Sequence, residues 1–179
     1  MFLGHWILTP LIYRTDFIGC SYSEVWLPLA AHRISGWRYH KTPINMKLII
    51  YSDWGSRGNP WPSGCGVWIT DISGKTVEKR HKYIGHATNN IAEYTAASLG
   101  IARAIELGAT QIELRADSKL VIEQLAGRYK IKNLELKKIY LEIQDMIGKW
   151  WGDISFTHVY REDNTEADRL SNVAMDEGR

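Results

Sequence analysis

The stretch from Lys47 to Pro60, KLIIYSDWGSRGNP, carries a β-branched apolar run into an aspartate and then into glycine, asparagine and proline. An apolar run bounded by turn formers predicts a buried strand over 47–53, with a glycine-rich loop after it. Asp53 falls within or at the end of that strand. A carboxylate there needs a reason, because burying an unpaired charge is costly. Working outward, GCGVWIT (64–70) and a segment near 76–84 read as two more strands, joined by the turn DISGK. Such short links favour an antiparallel meander. A helix is expected over about 90–107: Ile91, Tyr94, Ile101 and Ile105 share one face, Ser98 is the only polar member of that stripe, and Gly108 stops it. QIELRAD (111–117) reads as a strand and 118–126 as a short helix. After the basic segment GRYKIKN comes a longer helix with Leu136, Ile139, Ile143 and Ile147 at helical spacing. ISFTHVY (154–160) and a helix from about 164 close the chain. Strands that pass from a hairpin series to helix-separated units imply an α/β fold. Its expected core is a five-stranded mixed sheet, three antiparallel strands and then parallel ones, with helices on both faces.

The bulk numbers agree with one globular domain plus an appendage. Of 179 residues, 45% are hydrophobic and 23% charged, which excludes a disordered chain. The formal charge is +2, and four basic against two acidic residues precede Met46. The remainder is therefore balanced at 18 of each. Net charge argues for no polyanionic partner, so the footprint to seek is a local patch. Cys20 and Cys65 form neither a disulfide framework nor a metal knuckle, and a reducing, cytoplasmic setting is expected. The N-terminal MFLGHWILTPLIY is apolar, but Arg14 and Asp16 interrupt it before it reaches the form of a secretory signal or the length of a membrane span. Residues 1–45, with Trp6, Trp26 and Trp37, show no clean period and read as an N-terminal extension to a catalytic domain over 46–179. They are either a translated upstream or family-specific segment or a small nucleic-acid-binding appendage that stacks on bases.

Three acids fall at comparable places: Asp53 on the first strand, Asp117 after the fourth and Asp168 in the first turn of the last helix. Glu93 joins them near the start of the first helix. Ligand sites of α/β sheets gather beyond strand ends, so these elements can aim four carboxylates at one spot. Gathered carboxylates repel one another and call for a cation. An all-oxygen set with no histidine or cysteine cluster suits a hard ion, Mg²⁺ or Mn²⁺. Each acid also has a purely structural explanation. Asn90 with Glu93 has the form of a capping box, Asp117 can cap the helix it precedes, Asp168 suits a helix dipole and Asp53 can begin a turn.

The segments SDWGSRGNPWPSGCGV (52–67), ATNNIAEYTAASLGI (87–101), LRADSKLVIEQL (114–125) and HVYREDNTEADRLSNVA (158–174) together resemble type 1 ribonuclease H, especially its compact archaeal and bacterial form. The resemblance covers Met46 to the C-terminus. It implies a ribonuclease H-like fold in which Asp53, Glu93, Asp117 and Asp168 hold two divalent ions, Mg²⁺ or Mn²⁺. It further implies an endonuclease that cuts the RNA strand of RNA/DNA hybrids, leaving 5′ phosphate and 3′ hydroxyl. The partner is then a hybrid, with RNA/RNA duplex left open, and the protein a monomer with no membrane association. Asn59, Asn89 and Asn90 match positions that contact the minor groove and read 2′-hydroxyls. Thr88 and Asn133 resemble a pocket for a DNA-strand phosphate, with Arg128, Lys130 and Lys132 around them. Longer relatives place a histidine in a loop before the last helix. That loop is short here, so Arg161 takes the role, as compact archaeal members suggest, and His158 is expected to be a packed core residue. Trp54 and Trp61 stand where relatives usually have glycine. Two other functions stay open: an inactive ribonuclease H-like binding module, and a related nuclease of the same fold, such as a junction resolvase or the nuclease domain of a reverse transcriptase.

Overall fold

The computed structural model describes residues 45–57 and 61–178. The expected extension, apart from Asn45, lies outside them, as do Asn59 and the side chain of Trp61. In chain order the elements are β1 (Lys47–Ser56), β2 (Trp61–Thr70), β3 (Thr76–Ala87), α1 (Asn89–Glu106), β4 (Gln111–Ala116), α2 (Lys119–Leu125), α3 (Leu134–Lys149), β5 (Asp153–His158), a 3-10 turn (Arg161–Asp163) and α4 (Thr165–Glu177). The strands form one sheet in the order β3-β2-β1-β4-β5. β1 pairs antiparallel with β2 and parallel with β4, while β2–β3 is antiparallel and β4–β5 parallel. The mixed sheet read from the sequence is therefore the one that forms.

β1 is central, and its alternate side chains serve two helices. Leu48 and Ile50 are fully buried in the core that Ile101, Ala104, Leu114, Val121 and Ile143 also build. Gly100 of α1 lies against Ile50 and Val67. On the opposite face, α4 lies on Gly55, Gly64 and Gly66, and a Cβ on Gly64 would come within 2.5 Å of the Ser171 carbonyl. Helices thus cover both faces of the sheet.

This seat corrects the expected glycine-rich loop. Both strands run on through it, with Trp54, Gly55 and Ser56 paired to Cys65, Gly64 and Ser63. Glycine ordinarily weakens a strand, but it is required where another backbone approaches closely. Asp53 accordingly lies inside β1, not at its tip.

Candidate active site

Asp53 sits opposite Gly66 and so faces α4, whereas Trp54 sits opposite Cys65, whose thiol contacts the Ala92 carbonyl of α1. Consecutive strand residues point to opposite faces. Asp53 is only 5% exposed, and its Oδ2 is buried without a hydrogen-bond partner. Burial, reinforced by the neighbouring charge of Asp117, pushes its carboxyl up to about 8, against a hydrogen bond from the Trp54 backbone that holds it down. Lost hydration disfavours the charged form, and like charge adds to the effect.

Glu93 projects from the first turns of α1 toward the same place. Its Oε1 accepts from the Trp54 indole N–H and its Oε2 from the Ser118 hydroxyl, both at 2.8 Å. Burial raises its pKa above the ordinary glutamate value and the nearby Asp117 adds to that, while the two donors oppose the rise. The capping box does not form: Thr88 is the N-cap of α1, and Glu93 looks forward into the site instead of back. Nor does Asp117 cap a helix, since Ser118 is the N-cap of α2. Asp117 follows the last residue of β4, and its carbonyl accepts from His158 Nε2 at 3.1 Å, which places the ring proton there. His158 is exposed at the end of β5, so the expectation of a packed core residue is overturned. An edge strand leaves the outward face of its last residue uncovered.

Asp168 lies in the first turn of α4. Its carboxylate accepts from Arg161 and from Asn172 Nδ2, each at 3.4 Å. The end of α4 is tied to the centre of the sheet by Asn164, a fully buried residue whose Nδ2 donates to the Ser52 carbonyl at 3.1 Å. One hydrogen bond therefore fixes the helix bearing Asp168 against the residue next to Asp53.

Asp53, Glu93, Asp117 and Asp168 line a single cleft, together with Trp54, Ser118, Arg57 and Arg161. Among the described residues no three acidic, histidine or cysteine side chains already stand as a finished metal cage. Glu93 and Asp168 each accept hydrogen bonds from the chain's own donors. The residues nonetheless fit a hard cation: the donor set is all oxygen, and the buried Oδ2 of Asp53 is a lone-pair donor with nothing to satisfy it. The cleft lining does not include Thr88, Asn89, Asn90 or Asn133. Thr88, Asn89 and Asn90 are exposed at the start of α1, and the Asn133 side chain caps α3 by accepting from the backbone of Glu135 and Leu136. Arg128, in the basic segment, is paired with Glu123 of α2.

The family model described as Reverse transcriptase-like matches residues 55–174. A ribonuclease H of Ruthia magnifica is 31% identical over 144 residues, covering 73% of this chain and 96% of its own. The chain belongs to the ribonuclease H family. LC11-RNase H1, a protein isolated from compost and solved in complex with RNA/DNA hybrid, is 38% identical with a TM-score of 0.70, covering 73% of this chain and 98% of its own. The bifunctional protein Rv2228c of Mycobacterium tuberculosis is 46% identical over 133 residues, 73% of this chain and 36% of that protein. The chain thus spans about a third of the length of that relative.

Membership of the ribonuclease H family was legible in the four motifs, but several residues in and around the cleft were not singled out by them. Ser118, Asn164, Arg57 and Asn172 carried no motif of their own, and Trp54 registered only as a bulky substitute for glycine. A buried asparagine one turn before Asp168 leaves no periodic trace. Only the fold brings it to Ser52.

Proposed function

We propose that this protein is a divalent-metal-dependent endoribonuclease that hydrolyses the RNA strand of RNA/DNA hybrids and leaves 5′-phosphate and 3′-hydroxyl ends. The observation that carries the reading is the convergence of Asp53, Glu93, Asp117 and Asp168 on one cleft, with a buried oxygen of Asp53 unsatisfied. These four would hold two Mg²⁺ or Mn²⁺ ions. Bound there, such ions supply Lewis-acid neutralisation of phosphate charge and acidify water at neutral pH.

The chain's own residues bind and orient. Arg161, three-quarters exposed beside Asp168, is free to exchange that carboxylate for a substrate phosphate, and it keeps its charge throughout. Its role is to steady the phosphate, since it is no proton shuttle. Thr88, at the N-terminus of α1 where no side chain caps the backbone N–H groups, and Asn133, at the N-terminus of α3, would engage a phosphate of the DNA strand. Asn59, Asn89 and Asn90 would read the minor groove, and Lys130 and Lys132 would follow the backbone. A buried, unbridged Cys65 suits a reducing, cytoplasmic setting. All four acids are present, which argues against a purely binding module. Residues 1–45 would be an N-terminal extension to this catalytic domain.

The test is to incubate the full chain with labelled RNA/DNA hybrid, RNA duplex and DNA duplex in Mg²⁺ and in Mn²⁺, beside Asp53→Asn. Hybrid is expected to be cut by the native chain and about 10²- to 10³-fold more slowly by the variant, the scale of losing a principal electrostatic group. Cleavage of no hybrid in either ion would sink the reading.

A further inference from the structure

We propose that Trp54 is a positioning residue for a divalent cation: its indole N–H fixes the carboxylate of Glu93 in the cleft that Glu93 shares with Asp53 and Asp117. This inference rests on the metal-dependent nuclease reading and adds a residue to it.

The geometry starts from β1. Asp53 and Trp54 are consecutive, so one faces α4 and the other α1. Trp54 is therefore the β1 residue that reaches the helix bearing Glu93 while its neighbour presents the buried Asp53. A single peptide links one acid directly to the clamp on another. The clamp has two jaws, Trp54 Nε1 on Oε1 and Ser118 Oγ on Oε2, and both bonds are 2.8 Å. Ser118 follows Asp117, so the second jaw belongs to the strand end that supplies the third acid.

Each carboxylate oxygen has two acceptor sites, and the two donors use one on each. The other two remain for a cation. An indole N–H is donor only and never titrates, so this jaw cannot reverse its role or be lost with pH. The Ser118 hydroxyl, in contrast, rotates and can donate elsewhere. Without Trp54 the glutamate would regain side-chain freedom that it must lose again when a cation binds. Outer partners of this kind orient metal ligands elsewhere, and their loss typically weakens metal affinity about 10- to 100-fold.

The experiment measures Mn²⁺ binding to the full chain by isothermal titration, with no nucleic acid present, for the native protein, Trp54→Phe and Trp54→His. Phenylalanine keeps an aromatic ring but removes the donor, and histidine restores a ring N–H. Far-UV circular dichroism and metal-free melting check that each variant folds. The expected result is Mn²⁺ affinity about 10- to 100-fold weaker in the phenylalanine variant and largely recovered in the histidine variant. Binding by the phenylalanine variant within twofold of native, or equal loss in both variants, overturns the proposal. Native protein that binds no Mn²⁺ overturns it as well. Hybrid cleavage is scored separately. The predicted order of affinities in a chain that cuts no hybrid supports the Trp54 assignment and removes the nuclease reading.

Discussion

Asp53 is held at a cost to the fold. An ordinary aspartate ionises near 4, but this one is pushed up to about 8 by burial and by Asp117. Between those values the folded chain retains a proton that the unfolded chain has released. Folding stability then falls as pH rises from about 4 to about 8, with a ceiling near 1.4 kcal/mol per pH unit for one group. Asparagine at this position has no such dependence. Metal-free Asp53→Asn is therefore expected to be more stable than native at pH 8, by about 1–3 kcal/mol, with the advantage shrinking toward pH 4. Urea denaturation in EDTA at several pH values checks this. A variant less stable than native at pH 8 would mean that the buried charge is compensated in a way the free Oδ2 does not reveal. The same residue shows what sequence can disclose: the acid's place on β1 was readable, whereas its unpaired oxygen and raised pKa depend on α4 and β4.

Between elements, the decisive contact is α4 on the glycines of the β1–β2 hairpin. The last helix was legible, but not where it would lie, because Gly55 read as loop and Gly64 and Gly66 read as ordinary members of a strand. Gly66 is the tightest point. A Cβ there would meet the Ala167 carbonyl and would sit 2.6 Å from the Ser171 backbone nitrogen, and helix backbone cannot step aside as a side-chain tip can. Gly66→Ala is expected to cost about 1–3 kcal/mol or more by overpacking. It should also slow hybrid cleavage, because displacing α4 moves Asp168 away from Asp53. Gly148 provides the contrast. It lies near the end of α3 with nothing near its missing Cβ, so Gly148→Ala should stabilise by about 0.5–1 kcal/mol and leave cleavage unchanged. Thermal melts and initial rates on the two variants test the pair together. Equal stability for both would remove the helix-seat explanation of the hairpin glycines.

At the scale of the whole molecule, the mixed sheet followed from short antiparallel links giving way to helix-separated strands, and its order β3-β2-β1-β4-β5 brings four sequence-distant acids into one cleft. Sequence spacing fell short for Glu93 and Asp117, where local capping rules offered plausible alternatives that tertiary partners overrode. Trp54 and Ser118 claim the carboxylate of Glu93 that a capping box would have used, and Ser118 takes the N-cap position of α2 in place of Asp117. That arrangement makes cation binding and proton binding compete over the whole fold. A cation that prefers Asp53 ionised must displace its proton below about pH 8, and it stabilises the native state by mass action, about 2.7 kcal/mol when present at 100 times its dissociation constant. Saturating Mg²⁺ is thus expected to raise the melting temperature by several degrees at pH 8 and by much less at pH 5. Calorimetric binding in two buffers of different ionisation enthalpy should detect proton release near pH 7 that disappears in Asp53→Asn. Equal Mg²⁺ stabilisation at pH 5 and pH 8, with no proton released, would place the cation away from Asp53 and separate the buried carboxylate from the metal chemistry.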